Sequence, residues 1–278
     1  NSHPEMDLRK EQVTAWYVDW ERKEKHLSDL IAKLNIAPHS VLFIDDNPVE
    51  CAAVENALPE TVVLQFQQDL FWHVWDVPLF PRSNEEDKNR TLLFQQHLKR
   101  EECRAASKSL QQFFSELNLE VRIEKANPSE YERIAQLTQR TNQFNSCRRP
   151  LKYSQVAEYS GTLFAVHVKD RFGDYGLVGV LFVKSTVPIP IVEQFLLSCR
   201  VLGRGIEHQI VQFLGVWTQS KELFFSFKET ARNLPIKQFL ESLKPKKSTE
   251  EGYLFTSEAL LKSCFMPDHP LPAAPFAQ

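Results

Sequence analysis

From Thr162 the sequence carries three apolar runs in quick succession, "TLFAVHVKD", "GLVGVLFVKS" and "PIVEQFLLSC". Each is short and rich in β-branched and aromatic residues, the composition of a strand and not of a surface helix. The links between them are too brief for a helical crossover, so the runs must lie antiparallel in one sheet. "LEVRIEKA" before them alternates as a further strand, and "SEYERIAQLTQR" has helical spacing. After them come a helix from Gly203 to about Thr218, the strand "ELFFSFK" and the helix "LPIKQFLESL". Antiparallel strands followed by strand, helix, strand, helix predict a mixed α+β domain over residues 119–260.

The first 80 residues follow a different rule. Apolar residues at Leu27, Leu30, Ile31 and Leu34 mark one face of a helix, and "VLFI" (residues 41–44) reads as a strand. "PVECAAVENAL" then reads as a helix opened by Asn47 as N-cap, Pro48 in the first turn and Glu50 as the carboxylate of a capping box. "TVVLQF" is a second strand. Helix, strand, helix, strand predicts an α/β unit with a parallel sheet. Adjacent Asp45 and Asp46 stand at the C-terminal end of its first strand, where open α/β sheets bind ligands. Two neighbouring carboxylates repel, and Mg²⁺ is the natural cation to relieve them, held by one or two carboxylates plus water and phosphate oxygens.

Residues 81–118 are polar, highly charged and almost free of Gly and Pro, which predicts a helical linker; residues 261–278 read as a proline-rich tail. A net charge of -3 argues against a nucleic-acid backbone binder, and the basic run "LKPKKS" reads as a solvated loop. No apolar run approaches the roughly 18 residues of a membrane span. The five cysteines are widely spaced and form no C-x-x-C pair, so neither a disulfide framework nor a zinc site is expected, and a reducing cytoplasm fits. His73, His97, His167 and His208 show no ligand spacing. Entry without Met into what reads as the middle of an α/β unit points to a fragment.

In "CRVLGRGIEHQI", Arg200, Gly203, Arg204 and Gly205 form an R-x-x-G-x-G stretch between a strand and a helix. Glycines there let backbone N–H groups approach a phosphate at the positive end of the helix. The spacing resembles the acyl-CoA-binding loop of the GNAT acyltransferases; a tight turn that needs two glycines is the other reading.

Taken together, "HPEMDLR", "LNIAPHSVLFIDDNPVE", "LTQRTNQFN", "DRFGDYGLVGV", "FLLSCRVLGRGIE" and "ARNLPIKQFLESL" resemble the FkbH-like proteins, in that order along residues 1–243. These are haloacid-dehalogenase (HAD) superfamily members of the IIIC type with a GNAT-like C-terminal domain. The fold implied is a partial HAD-like Rossmannoid parallel sheet followed by a GNAT-like acyltransferase domain. The function implied is removal of phosphate from a phosphorylated glycerate donor and loading of the glyceryl unit onto an acyl carrier protein, in polyketide-type biosynthesis. Asp45 and Asp46 would then hold Mg²⁺, with Asp46 the direct ligand, and Lys23 would steady the nucleophile and the phosphoryl group. From spacing alone Lys23 is a solvated helix residue. The D-x-D-x-T nucleophile stretch that HAD chemistry requires is absent from the chain, which leaves half a phosphatase site.

Cys199 has two readings. A thiol beside a helix N-terminus is a candidate nucleophile for a thioester carried by a phosphopantetheine arm or CoA. A free cysteine is also among the most buried residue types, and packing comes first. "RTNQFNSCRR" likewise reads as a grip for a polar or phosphorylated ligand or as a hydrogen-bonded structural loop. Three functions follow: an FkbH-like enzyme part, a non-catalytic GNAT-like module that binds a carrier protein or pantetheine arm, and an acetyl-CoA-dependent N-acetyltransferase.

Overall fold

The computed structural model describes residues 13–34, 36–67, 90–185, 188–218 and 220–265. The "HPEMDLR" motif, the aromatic run at residues 69–81 and the tail from residue 266 lie outside the described residues. The chain divides into two compact units, Asn1–Ser107 and Lys108–Gln278.

In the first unit α1 (Lys23–Leu34), β1 (Leu42–Asp45), α2 (Pro48–Ala57), β2 (Val62–Gln65) and α3 (Arg90–Ala106) follow in order. β1 and β2 are parallel, in register from Leu42 opposite Val62 to Asp45 opposite Gln65, with α2 as the crossover. The crossover packs Cys51 and Val54 inward, and Ile31 is the buried apolar residue of α1. Parallel sheets are normally covered on both faces. Here Ile44 and Val62 remain 49% and 48% exposed, so the pair has little core of its own among the described residues. A parallel α/β unit is therefore present; its two strands do not establish a HAD-like sheet.

The second unit runs α4 (Leu110–Leu117), β3 (Glu120–Lys125), α5 (Tyr131–Arg140), α6 (Tyr153–Ala157), β4 (Thr162–Asp170), β5 (Gly173–Lys184), β6 (Ile191–Leu197), α7 (Ile206–Trp217), β7 (Glu222–Ser226), α8 (Leu234–Ser242), β8 (Lys247–Thr249), β9 (Gly252–Thr256) and α9 (Ser257–Leu261). Its seven strands form one mixed sheet in the order β3-β4-β5-β6-β7-β9-β8. The unit boundary before Lys108 places α4, whose residues read as linker, with this sheet. α4 is strongly amphipathic and buries Phe113, Phe114 and Leu117.

Apolar residues on the two faces of the sheet build two cores. Val192, Phe195 and Leu197 of β6 pack with Ile206, Ile210 and Leu214 of α7 and Ile236 and Leu240 of α8. Leu196 of β6 belongs to the other core, with Ile134, Ala135 and Leu137 of α5 and Val156 of α6. Two irregularities matter for function. β6 pairs with β7 in parallel only through Ile191 with Phe224 and Val192 with Phe225, after which the two strands splay. On its other edge β6 pairs with β5 up to Leu197, and there Phe182 faces Gln194 while Val183 faces Val192. Glu193 is thus the extra residue of a β-bulge, a device that re-aims side chains.

Candidate functional site

In the first unit Lys23 opens α1 and Asp45 closes β1. Lys23 Nζ donates to Asp45 Oδ2 at 2.6 Å, although 22 residues separate them. Asp45 Oδ1 accepts the Asn47 N–H at 3.0 Å, and Asn47 Oδ1 accepts the Val49 N–H at 2.9 Å. Asn47 is therefore the N-cap of α2 as expected, with Pro48 in the first turn. The Glu50 arm of the capping box does not form: its donor, the Asn47 N–H, is given to Asp45. Burial pushes the Asp45 carboxyl up, but the Lys23 ammonium and the Asn47 amide outweigh it and hold the carboxyl below its ordinary value. The same hydrogen bond raises Lys23.

The charge that would relieve the two neighbouring carboxylates is thus supplied by a lysine. Both Asp45 oxygens are engaged, and Asp46 is exposed, with its backbone carbonyl accepting from Gln65 at 3.3 Å. No group of three His, Cys, Asp or Glu side chains suited to a metal occurs among the described residues. These residues alone do not make a Mg²⁺ site. Lys23 and Asp45, assigned to one site only by a family resemblance, lie together.

In the second unit the R-x-x-G-x-G stretch forms the connection from β6 to α7. Residues Cys199–Val201 make a short 3₁₀ turn, and Gly203 and Gly205 follow at φ 70° and 76°, the left-handed region that favours glycine. Gly205 caps α7. Several donors of this turn are used within the chain. Gly203 N–H donates to Glu207 Oε1 at 2.7 Å. Arg204 donates to the Tyr175 hydroxyl and stacks 5.2 Å from that ring, and the hydroxyl donates to Asp170 Oδ2 at 2.8 Å. Asp170 Oδ1 in turn accepts the Phe172 and Gly173 amides. The "DRFGDYG" stretch is therefore a β4–β5 turn that fastens Arg204. Arg200 Nε reaches Ser198 Oγ at 3.5 Å.

Glu207 is 6% exposed, and its Oε2 has no hydrogen-bond partner. Burial raises its carboxyl; the Gly203, Glu207 and Gly205 amides and Arg204 pull the other way without cancelling it. Cys199 is exposed and lies beyond the strand, in the 3₁₀ turn. Exposure corrects the packing role placed first for this thiol: the run "FLLSC" alternates inward only as far as Leu197.

Sequence reasoning missed what fills the splay between β6 and β7. Residues Phe144, Asn145 and Ser146 lie there antiparallel to β6, with Asn145 opposite Leu196. Ser146 N–H donates to the Phe195 carbonyl and Leu197 N–H to the Phe144 carbonyl, both at 2.9 Å. Phe195 N–H donates to Ser146 Oγ at 3.0 Å, and Lys228 N–H to the Ser146 carbonyl at 2.8 Å. The wholly buried Asn145 receives Gln194 Nε2 on its side chain at 3.0 Å and Asn233 Nδ2 on its carbonyl at 3.1 Å. The "RTNQFNSCRR" stretch is thus a structural element; amide side chains in a loop signal only that hydrogen bonds will be made, not with what.

The bulge opens a second place. Glu193 accepts from Tyr159 Oη at 3.0 Å and from Lys184 Nζ at 2.7 Å, on the wall of a cavity of ≈ 250 Å³ that Arg149 also lines. Burial and the Glu193 charge push the Tyr159 phenol up, so it stays a donor at neutral pH.

No protein-family model matches this chain, and no curated protein matches it either. Among solved structures it is similar to a domain from Methanocaldococcus jannaschii, at 15% identity and a TM-score of 0.40, covering 50% of this chain and 99% of that one. A ribosomal-protein-S18-alanine N-acetyltransferase from Escherichia coli matches at 11% identity and 0.35, over 49% of this chain and 93% of that one. An aminoglycoside acetyltransferase in complex with coenzyme A matches at 11% and 0.36, over 50% and 96%. No described helix is long and apolar enough to cross a membrane.

Proposed function

We propose that the second unit is a GNAT-like module of the acyltransferase kind that docks an acyl carrier protein and does not transfer an acyl group on its own. The observation that carries this reading is the β6–α7 turn. It leads from β6, where that strand splays from β7, into α7 through two left-handed glycines, a place where α/β sheets present ligand sites. Yet Glu207 and Tyr175 take up its donors, while Cys199 and Gly203 stay on the surface. Such a turn is better suited to meeting a partner surface than to enclosing a nucleotide. Titrating the protein with holo- and apo-acyl carrier proteins tests it. Binding should weaken by roughly tenfold in Arg200→Glu, through the reversed charge at the rim. Absence of binding by either carrier form, or indifference to Arg200→Glu, contradicts it.

A second reading is favoured by the contact between Lys23 and Asp45. That contact supports an FkbH-like HAD enzyme acting on a phosphorylated glycerate donor. Since the D-x-D-x-T nucleophile is not in this chain, no phosphate release is expected from it in the presence of Mg²⁺. Turnover abolished by Asp46→Asn would contradict the half-site reading.

A further inference from the structure

We infer that residues Phe144–Ser146 are a built-in occupant of the crevice between β6 and β7, and that this crevice does not admit the pantetheine arm of CoA. The inference extends the GNAT-like reading of the sheet but is independent of carrier docking.

A strand splayed from its parallel neighbour exposes backbone groups that must find partners. An extended ligand with amides is one solution, pairing as an added strand does. Here the chain provides its own solution. The amides of Phe195 and Leu197 and the carbonyl of Phe195 are the groups such an arm would use, and each is bonded to Phe144 or Ser146. The segment also reaches across the splay, because Lys228, just past β7, donates to Ser146.

Displacement is strongly opposed by what lies beneath. Phe144 is 3% exposed, with its ring 5.2 Å from Phe195 and 5.5 Å from Phe239. Asn145 and Ser146 are wholly buried, and Asn233 Nδ2 ties the Asn145 carbonyl to that of Lys228. A ligand entering here would have to expel an aromatic side chain from the core and leave Asn145, Gln194 and Asn233 to find new partners. At the turn one amide is taken in the same way. A CoA phosphate at the turn would face the buried Glu207 carboxylate, which holds the Gly203 amide. Crevice and turn therefore do not fit CoA, and the N-acetyltransferase alternative loses its cofactor site.

Hydrogen exchange and calorimetry on the full chain test the inference. The amides of Ser146, Phe195, Leu197 and Lys228 should exchange as slowly as the central sheet, unchanged by CoA at about 1 mM, a concentration at which even weak binders are occupied. CoA and the same nucleotide without its pantetheine arm should bind alike, within about threefold, or both not at all. Asn233→Ala should speed exchange at Ser146 and Lys228 by roughly tenfold while the rest of the sheet is unaffected. CoA binding at least about tenfold tighter than the armless nucleotide, with faster exchange at Ser146 and Lys228, would overturn it. Fast exchange of these amides in the unliganded protein would do the same. If no carrier protein binds but the four amides stay protected, the docking proposal fails and this inference stands.

Discussion

Replacing Glu207 with glutamine isolates a conflict built into the start of α7. The carboxylate is drawn to a helix N-terminus and to the Gly203 amide, which together favour its charged form by about 1–3 kcal/mol. Against this stands its removal from water, at 6% exposure with Oε2 lacking a partner. Burial is the larger effect and raises the carboxyl above its ordinary value. A carboxyl raised on folding contributes stability that is fully present below its unfolded pKa and is lost as pH rises through the folded one. The loss runs at no more than about 1.4 kcal/mol per pH unit for one proton. Glutamine keeps an acceptor for Gly203 and has no charge to desolvate. The variant should therefore match the wild type most poorly near pH 4 and gain on it as pH rises from there, until the raised pKa is passed. Denaturant unfolding of both proteins at stepped pH from 4 to 8 measures the difference directly. Each kcal/mol corresponds to roughly 2–4 °C in Tm for a domain of this size. A difference that is flat across this range, or a variant that loses ground as pH rises, would show that the amides outweigh burial and refute the reasoning.

The other expectations are more local. Asp45 is held below its ordinary value, so its contribution is present above the unfolded pKa and lost as pH falls through the folded one; Lys23→Met should shrink that acid-side loss, by no more than about 1 kcal/mol because Lys23 is half exposed, as read from acid unfolding curves. Gly252→Ala would place a Cβ 2.0 Å from the Phe225 carbonyl oxygen at φ +148°, so the β7–β9 pairing must shift and thermal unfolding should show a loss of at least about 2 kcal/mol. Of the described cysteines Cys199 is the exposed one, and thiol labelling of the native protein should be fastest there and lose its fast phase in Cys199→Ser.

How far the sequence could be read depended on whether a signal was local. β4 occupies Thr162–Asp170, the very apolar run that marks it in the sequence, and α2 begins at the Asn-Pro cap that announces it. β8 was hidden because Lys247–Thr249 is a wholly exposed edge strand whose lysine, in the run "LKPKKS", reads as part of a solvated loop. Lysine on an edge is a guard against unwanted pairing, and it disguises the strand from a search for apolar alternation. The partnership of Phe144–Ser146 with β6 joins residues about 50 apart and has no periodicity at all. Cys199 was misplaced because an apolar run shows where a strand can go, not where its last inward residue lies. Lys23 and Asp45 came together only through resemblance, since nothing in their 22-residue separation predicts a contact.

The bulge at Glu193 carries a consequence for how this sheet can change length. Val192 and Phe195 share one face despite being three residues apart, because Glu193 and Gln194 together stand opposite Phe182. Removing Glu193 would restore strict alternation and leave Val192, Phe195, Leu196 and Leu197 on the faces they now occupy. A one-residue deletion, which elsewhere in a central strand turns every following side chain to the wrong core, is at this point neutral to packing. What it would remove is the anchor for Tyr159 and Lys184. The bulge is therefore a place where polar chemistry on one face of the sheet can be gained or lost without rebuilding the interior.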